Sequence, residues 1–155
     1  MRSNPKETKR RKRTIRVWTL DEATAAVPYI ASVLRSLRDH WLDAAAKHQM
    51  SDRLESLPGR PDRNMLIAKS EAIREANEAE DRYLEARNEL TDLDIYCIEP
   101  GRGEALVGFL KENQLAWFIF DLFDSQPFRC WRLHNDPLDM RRPIADLAGP
   151  LLKSA

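Results

Sequence analysis

The stretch from Met65 to Leu93 constrains the fold more than any other part of this sequence. From Ala72 onward, small and apolar residues recur at alternating intervals of four and three, and the positions between them are mostly polar or charged. This stripe consists of Ala72, Ala76, Ala79, Tyr83, Ala86, Leu90 and Leu93. Because the spacing places them on one side of a helix, the sequence predicts a long helix packed against one partner. The alanines predict a close approach of that partner.

A second long helix is predicted before this one, beginning at a capping box. Thr19 and Glu22 have the residue types and the spacing in which each side chain accepts a hydrogen bond from the other's backbone amide. Pro28 interrupts the helix that follows, so we expect a kink near Thr24. The apolar stripe of this helix is Val27, Ile30, Leu34, Leu37, Trp41, Ala44, His48 and Ser51. His48 has no second ligand at helical spacing, so no metal site is predicted.

The segment 57–62 contains two prolines and a glycine, which is typical of a turn between helices. A short connection makes the two helices antiparallel neighbours, and the predicted hairpin spans residues 19–94. Each helix would be about 45–55 Å long. Since a compact domain of this size does not need that length, we expect part of the hairpin to contact another chain. A homodimer is the simplest such partner.

After Asp94 the apolar pattern changes to a period of two, which predicts strands at 95–98, 105–110, 115–123 and 128–133. The third is apolar on both faces, so we place it centrally. The predicted fold is therefore α+β, with a long antiparallel, coiled-coil-like two-helix hairpin followed by a four-stranded antiparallel meander sheet over residues 95–133. Residues 134–155 are predicted to form an irregular C-terminal tail, part of which straps the sheet.

Length and composition favour one cytoplasmic domain. The chain has 155 residues, of which 43% are hydrophobic, and residues 17–155 are predicted to form a single domain. No apolar run approaches the roughly 20 residues that span a bilayer, so we expect no membrane association and no secretory signal. Cys97 and Cys130 are not a Cys-x-x-Cys pair, and we expect two buried thiols in a reducing compartment. No cofactor is predicted.

The zero net charge conceals a basic N-terminal segment. Residues 1–16 contain eight bases and one acid, which leaves 17 bases and 24 acids in the rest of the chain. We expect this segment to be a disordered tail. Its functional interpretation is an arm that binds nucleic acid through phosphates, with Lys9, Arg10, Arg11, Lys12 and Arg13 as the contacts. The alternative, which we favour, is a solubilising tail, one that folds back on the acidic body, or one that binds a protein.

A small-anion or ligand site is predicted near the end of the sheet. Its candidate residues are Trp117, Arg129, Trp131, Arg132 and His134, together with Asp121 and Asp124. Arginines could hold an anion by charge and by paired hydrogen bonds. However, no nucleophile–base set, phosphate loop or metal motif accompanies them, so an enzyme is the least favoured interpretation. The alternating arginines are also typical of the exposed face of an edge strand.

The order of these parts resembles the domain of unknown function 2203 family of small bacterial proteins. The resemblance covers residues 17–135 and is carried by an aromatic-Thr-Leu start at Trp18, a Leu-Val-x-Phe strand ending at Phe109, and a Cys-Trp pair ending at Trp131. Family members carry Asp where this chain has Gly108. They also have a Gly-Glu pair and then a Trp-His pair after Cys-Trp, whereas this chain has Leu133-His134-Asn135 and Met140-Arg141. The resemblance implies the α+β fold. It gives no information about an activity.

These patterns together favour a non-enzymatic interaction or scaffold protein that forms a homodimer through the hairpin and the sheet. Nucleic-acid binding by the N-terminal arm is the alternative hypothesis, and a ligand or catalytic site near Trp131 is the third.

Overall fold

The computed structural model describes residues 14–147 and confirms the α+β fold. Three helices come first, and an antiparallel sheet of five strands follows. They are α1 (Leu20–Ala25), α2 (Val27–Glu55), α3 (Arg63–Thr91), β1 (Ile95–Tyr96), β2 (Glu104–Lys111), β3 (Gln114–Asp121), β4 (Cys130–Leu133) and β5 (Arg142–Pro143). Short 3₁₀ turns lie at Pro100–Arg102 and Ile144–Leu147. The predicted contacts Lys9 to Arg13 lie outside the described residues.

The predicted first helix is interrupted just before Pro28. Only Ala26 separates α1 from α2, so the proline occupies the second position of α2. There it costs no hydrogen bond, because the first amides of a helix have no partner within the helix. The helix is thus interrupted at Ala26, two residues after the position expected for the kink, Thr24. The capping box is confirmed, with the Glu22 amide donating to Thr19 Oγ1 at 3.1 Å and the Thr19 amide donating to Glu22 Oε1 at 3.0 Å.

Helices α2 and α3 form the predicted antiparallel hairpin. Tyr29, early in α2, donates a hydrogen bond to Glu89, late in α3, at 3.4 Å. His48, later in α2, is hydrogen-bonded to Glu80, earlier in α3, at 3.3 Å. The predicted alanine stripe faces the partner helix, and four of its members are buried: Ala76, Ala79, Ala86 and Leu90. Small side chains thus allow the close helix packing that the sequence predicted.

The sheet is a meander in the order β1-β2-β3-β4-β5, with β3 at its centre as expected. The prediction of four strands missed β5, which pairs with β4. This strand is held by tertiary contacts: the Trp131 indole donates to the Pro143 carbonyl at 3.1 Å, and the Ile144 amide donates to the Arg129 carbonyl at 2.9 Å. Part of the tail predicted to be irregular is therefore regular. Proline is tolerated there because β5 is an edge strand.

The main core lies between the helices and one face of the sheet. Phe109 of β2 stacks on Phe118 of β3 with ring centroids 3.9 Å apart. The same buried cluster includes Leu34 and Leu37 of α2 and Leu90 of α3. Burial of such side chains contributes roughly 1.5–3 kcal/mol each. This cluster fixes the sheet against the part of the hairpin nearest to it.

The segment before α1 is attached to the edge of the sheet. The Trp18 amide donates to the Gly108 carbonyl of β2 at 2.7 Å, and the Trp18 ring joins the core. Arg16, at the end of the predicted tail, donates its backbone amide to Asp94 at 2.8 Å. Its guanidinium lies 3.8 Å above the Trp18 ring. A Cβ at Gly108 would lie 3.4 Å from the Arg16 carbonyl oxygen, which is ordinary van der Waals contact.

Candidate functional site

The two faces of the sheet separate the tryptophans that the sequence grouped in one candidate site. Trp131 pairs with Phe118 and belongs to the core beneath the helices, where its ring lies 6.0 Å from that of Phe109. Trp117 pairs instead with Arg132, and both point to the opposite, outer face. The structure therefore places the two rings on opposite faces of the sheet, because Trp131 and Arg132 are consecutive residues of β4 and only Arg132 shares a face with Trp117.

Arg132 is buried, contrary to the interpretation of an exposed edge strand. Strand β4 is paired on both sides, and only 4% of the Arg132 surface is exposed. Its guanidinium donates to the backbone carbonyls of His134 and Asp136. Both belong to the segment 134–141 between β4 and β5, here named the strap. Within the described residues, Arg132 Nε has no hydrogen-bond partner.

His134 connects Trp117 to the strap. The Trp117 indole donates to His134 Nδ1 at 3.1 Å, and the His134 amide donates to the Leu115 carbonyl at 3.0 Å. Because Nδ1 is the acceptor, the neutral imidazole carries its proton on Nε2. The structure thus brings together Trp117, Arg132 and His134 from the predicted set. Their contacts anchor the strap, since Trp117 is only 5% exposed and lines none of the cavities described below.

Asp136 fastens the strap to both flanking strands. Its carboxylate accepts two hydrogen bonds from Arg142 of β5, at 2.7 and 2.9 Å, and one from the Leu133 amide of β4, at 2.9 Å. The hydrogen bonds from Arg142 are the main reason that the pKa of Asp136 falls to about 2. The same contact raises the pKa of Arg142. A bidentate ion pair between Asp136 and Arg142 thus holds the strap to β5.

Arg129 lies apart from this group. It donates two hydrogen bonds to Asp124, at 2.7 and 2.9 Å, in the exposed loop before β4. This pairing lowers the pKa of Asp124 to about 2, with the Arg129 hydrogen bond as the largest cause. The charge of Arg129 is therefore matched within the protein. The predicted anion site does not assemble from these five residues.

Two adjoining cavities lie on the outer face, and they share the ion pair between Arg141 and Glu104 (3.0 Å). The larger, of about 230 Å³, is also lined by Ile98, Glu99, Arg102, Leu106, Leu138 and Asp139. The smaller, of about 200 Å³, is also lined by Ile119, Asp121, Asp124, Arg129 and Cys130. The larger cavity is lined by strap residues, by residues 98–102 between β1 and β2, and by β2, so the strap lies beside the outer face of β2.

These cavities show little chemistry of a catalytic kind. Arg102 is paired with Glu99 at 2.9 Å, and the other arginines are paired as described. Among residues 14–147, no group of three or more His, Cys, Asp or Glu side chains is placed to hold a metal ion. Burial, and secondarily the charge of Glu104, raises the pKa of Cys97 to about 11, so this thiol stays protonated at neutral pH. Cys97 is therefore a poor nucleophile.

The hairpin extends well beyond the sheet. The last main-core residues toward its tip are Leu37 on α2 and Ala86 on α3, so the remaining 18 residues of α2 project by about 27 Å. In this projecting part the buried positions are occupied by small residues: Ala44, Ser51, Ala76 and Ala79. Larger apolar side chains are exposed there: Leu42, Met50, Leu66, Ile67 and Ile73. None of the helices that the structure describes is long and apolar enough to cross a membrane.

One side of the projecting hairpin carries an apolar surface, here named the hairpin flank. Leu66 and Ile73 lie fourteen and seven residues before Glu80, which places all three on one side of α3, and Leu84 follows on the same side. The His48–Glu80 hydrogen bond shows that this side adjoins α2. The exposed fractions are 54% for Leu66, 42% for Ile73 and 38% for Leu84. Trp41 lies seven residues before His48 and extends the flank to α2.

Sequence reasoning missed this surface because it followed only the alanine stripe. The signal was present, since three large aliphatic residues, Leu66, Ile73 and Leu84, recur at intervals of seven and eleven, which places them on one side of the helix. Comparisons with protein-family models, with curated proteins and with solved structures found no match to this chain. The hairpin flank is the candidate functional surface that the geometry supports.

Proposed function

We propose that this protein is a non-enzymatic interaction protein that self-associates through its projecting hairpin. The proposal rests on one observation: in the projecting part of the hairpin the buried side chains are small and the large apolar side chains are exposed. Beyond the sheet, alanine and serine occupy the buried helix–helix contact, while leucine, isoleucine and methionine face solvent. A two-helix contact made by small residues buries little apolar area. A second surface that covers the large residues would stabilise the projecting part.

The charge distribution supports a copy of the same chain as the partner. Residues 41–79 contain six bases and seven acids, interspersed along both helices. Two copies of this region therefore do not repel each other strongly. The outer-face cavities give less support to a ligand-binding function, because their arginines are already paired with carboxylates.

Two further expectations remain part of this proposal. We place the protein in the cytoplasm, which the free, half-buried state of both cysteines supports. We also propose membership of the domain of unknown function 2203 family, which rests on the motifs quoted above.

The test is the mass in solution over a range of micromolar concentrations, measured by sedimentation equilibrium. We expect the chain, of 18.0 kDa, to approach twice that mass. Ile73→Glu should shift the mass to that of the monomer with unchanged helix content, since it places a charge in the apolar flank. Arg82→Gln is the matched control, because it changes the charge by the same amount on the opposite side of α3. A wild-type protein that remains a monomer throughout would overturn the proposal.

A further inference from the structure

We infer that the two adjoining cavities beside the strap bind a linear aliphatic diamine, with one ammonium group in each cavity. This site goes beyond the proposed self-association and does not depend on it, because none of the described residues that line the cavities belongs to the hairpin flank. Three features of the cavities support a ligand of this class: their balance of charge, the fixed positions of their arginines and their apolar floor.

The described residues that line the two cavities carry more negative than positive charge. Three guanidinium groups are each paired with a carboxylate: Arg102 with Glu99, Arg129 with Asp124 and Arg141 with Glu104. Within the described chain two lining carboxylates have no ion pair, Asp139 in the larger cavity and Asp121 in the smaller one. The surplus charge therefore repels an anion from both cavities and attracts a cation.

The arginine between the two cavities is held away from both of these aspartates. Arg141 donates to two backbone carbonyls of the strap, at 2.8 and 2.9 Å, and to the Glu104 carboxylate at 3.0 Å. Because this ion pair lines both cavities, it lies at their junction, with Asp139 on one side and Asp121 on the other. A ligand that carries one positive charge at each end matches this arrangement, since an ammonium group donates strong hydrogen bonds to a carboxylate.

The floor of the cavities is apolar and suits a chain of methylene groups. Leu106 in the larger cavity and Ile119 in the smaller one are partners on the neighbouring strands β2 and β3. Ile98 and Leu138 add partly exposed apolar surface to the larger cavity. An aliphatic chain that links the two ammonium groups would cover this surface. Each cavity is smaller than the roughly 300 Å³ at which pockets for drug-sized molecules begin, so a slender ligand fits better than a ring system.

Calorimetric titration of the full chain with 1,5-diaminopentane tests the class of ligand. 1-Aminopentane is the matched probe, since it has the same carbon chain and lacks the second ammonium group. We expect one diamine to bind per chain, saturably and about fivefold more tightly than the monoamine, because its second ammonium group meets a second carboxylate. Equal affinities for the two amines, or diamine binding that does not saturate at millimolar concentrations, would overturn the inference.

The variant Asp139→Asn tests the location of the site. It removes one charge and no contact, because Asp139 makes no side-chain hydrogen bond or ion pair in the described part of the chain. We expect it to lower the affinity for the diamine about fivefold and to abolish the preference over the monoamine. Asp81→Asn is the matched control, since it removes the same charge from α3 and should leave both affinities unchanged. Wild-type affinity in Asp139→Asn, or an equal loss in Asp81→Asn, would exclude this site.

Discussion

Replacement of Arg132 tests whether its side chain is buried and structurally important, as the structure indicates, or exposed, as its sequence context suggests. A surface arginine away from special contacts changes the stability by less than about 0.5 kcal/mol when it is replaced. Arg132 instead lies beneath the strap and donates to the carbonyls of His134 and Asp136. We therefore expect substitutions here to destabilise the fold substantially.

The magnitude follows from two contributions. A hydrogen bond from a charged donor contributes about 1.5–3 kcal/mol. Removal of the donor also takes this partner from two part-buried carbonyls. The second bond, to His134, is at the 3.5 Å limit and contributes less. Removal of a buried charge also recovers part of its desolvation cost. We expect Arg132→Met, which keeps the aliphatic stem, to cost about 1–2 kcal/mol, and Arg132→Ala, which also leaves a cavity, to cost about 3 kcal/mol.

Urea unfolding at one fixed protein concentration measures these differences, because self-association makes the apparent stability depend on concentration. Arg129→Met is the matched control. It removes an arginine three residues earlier whose side chain is exposed and hydrogen-bonds the loop carboxylate Asp124, so it should change the midpoint much less. If Arg132→Ala costs less than about 0.5 kcal/mol, the guanidinium does not hold the strap and the argument fails.

Three other predictions follow from particular contacts. Because Arg142 lowers the pKa of Asp136 to about 2, the Asp136–Arg142 ion pair contributes stability that is complete above about pH 4 and is lost as the pH falls toward 2. Urea titrations at pH 5 and 2.5 should show a smaller loss of stability for Asp136→Asn than for the wild type, and equal losses would exclude a stabilising role of this ion pair. Gly103→Ala should lower the free energy of unfolding by about 1–2 kcal/mol, since φ is +68° and an added Cβ would lie 2.9 Å from the Phe123 ring. Thermal unfolding measures this change, and an unchanged melting temperature would contradict that geometry. Deletion of residues 1–13 should abolish any binding of mixed-sequence DNA or RNA that falls steeply with salt; affinity that survives the deletion would exclude the N-terminal arm.

Local patterns predicted the helices and the centre of the sheet. The capping box at Thr19, the alanine stripe of α3 and the doubly apolar β3 are each encoded within a few neighbouring residues, so the structure agrees with them. Pro28 was also recognised as an interruption. The place of the interruption, Ala26, depends on where the chain can begin a new helix, which the pattern alone does not decide.

The errors concern contacts between residues that are distant in the fold or the sequence. Strand β5 has only two residues and exists because Trp131 and Arg129 hold its backbone. Arg132 resembles an exposed strand arginine until the strap covers it, and coverage by a later segment leaves no periodic signal. The same reason explains why Trp117 and Trp131 were grouped: the residues 14 positions apart are neighbours on adjacent strands, but register decides which face each one occupies.

The contrast between the two halves of the hairpin explains why its function is sought at the projecting end. Near the sheet, large residues such as Leu34 and Leu37 are fully buried, so the fold itself accounts for their presence. Beyond it, no element of the described chain covers Leu66 or Ile73, although polar residues at those positions would serve an isolated hairpin equally well. Alanines at the inner contact keep the helices close, which makes the hairpin narrow and leaves its flank accessible to a second helix pair. Covering the three flank residues in both copies would contribute several kcal/mol at about 25 cal/mol per Å² of apolar surface, enough to offset part of the cost of association.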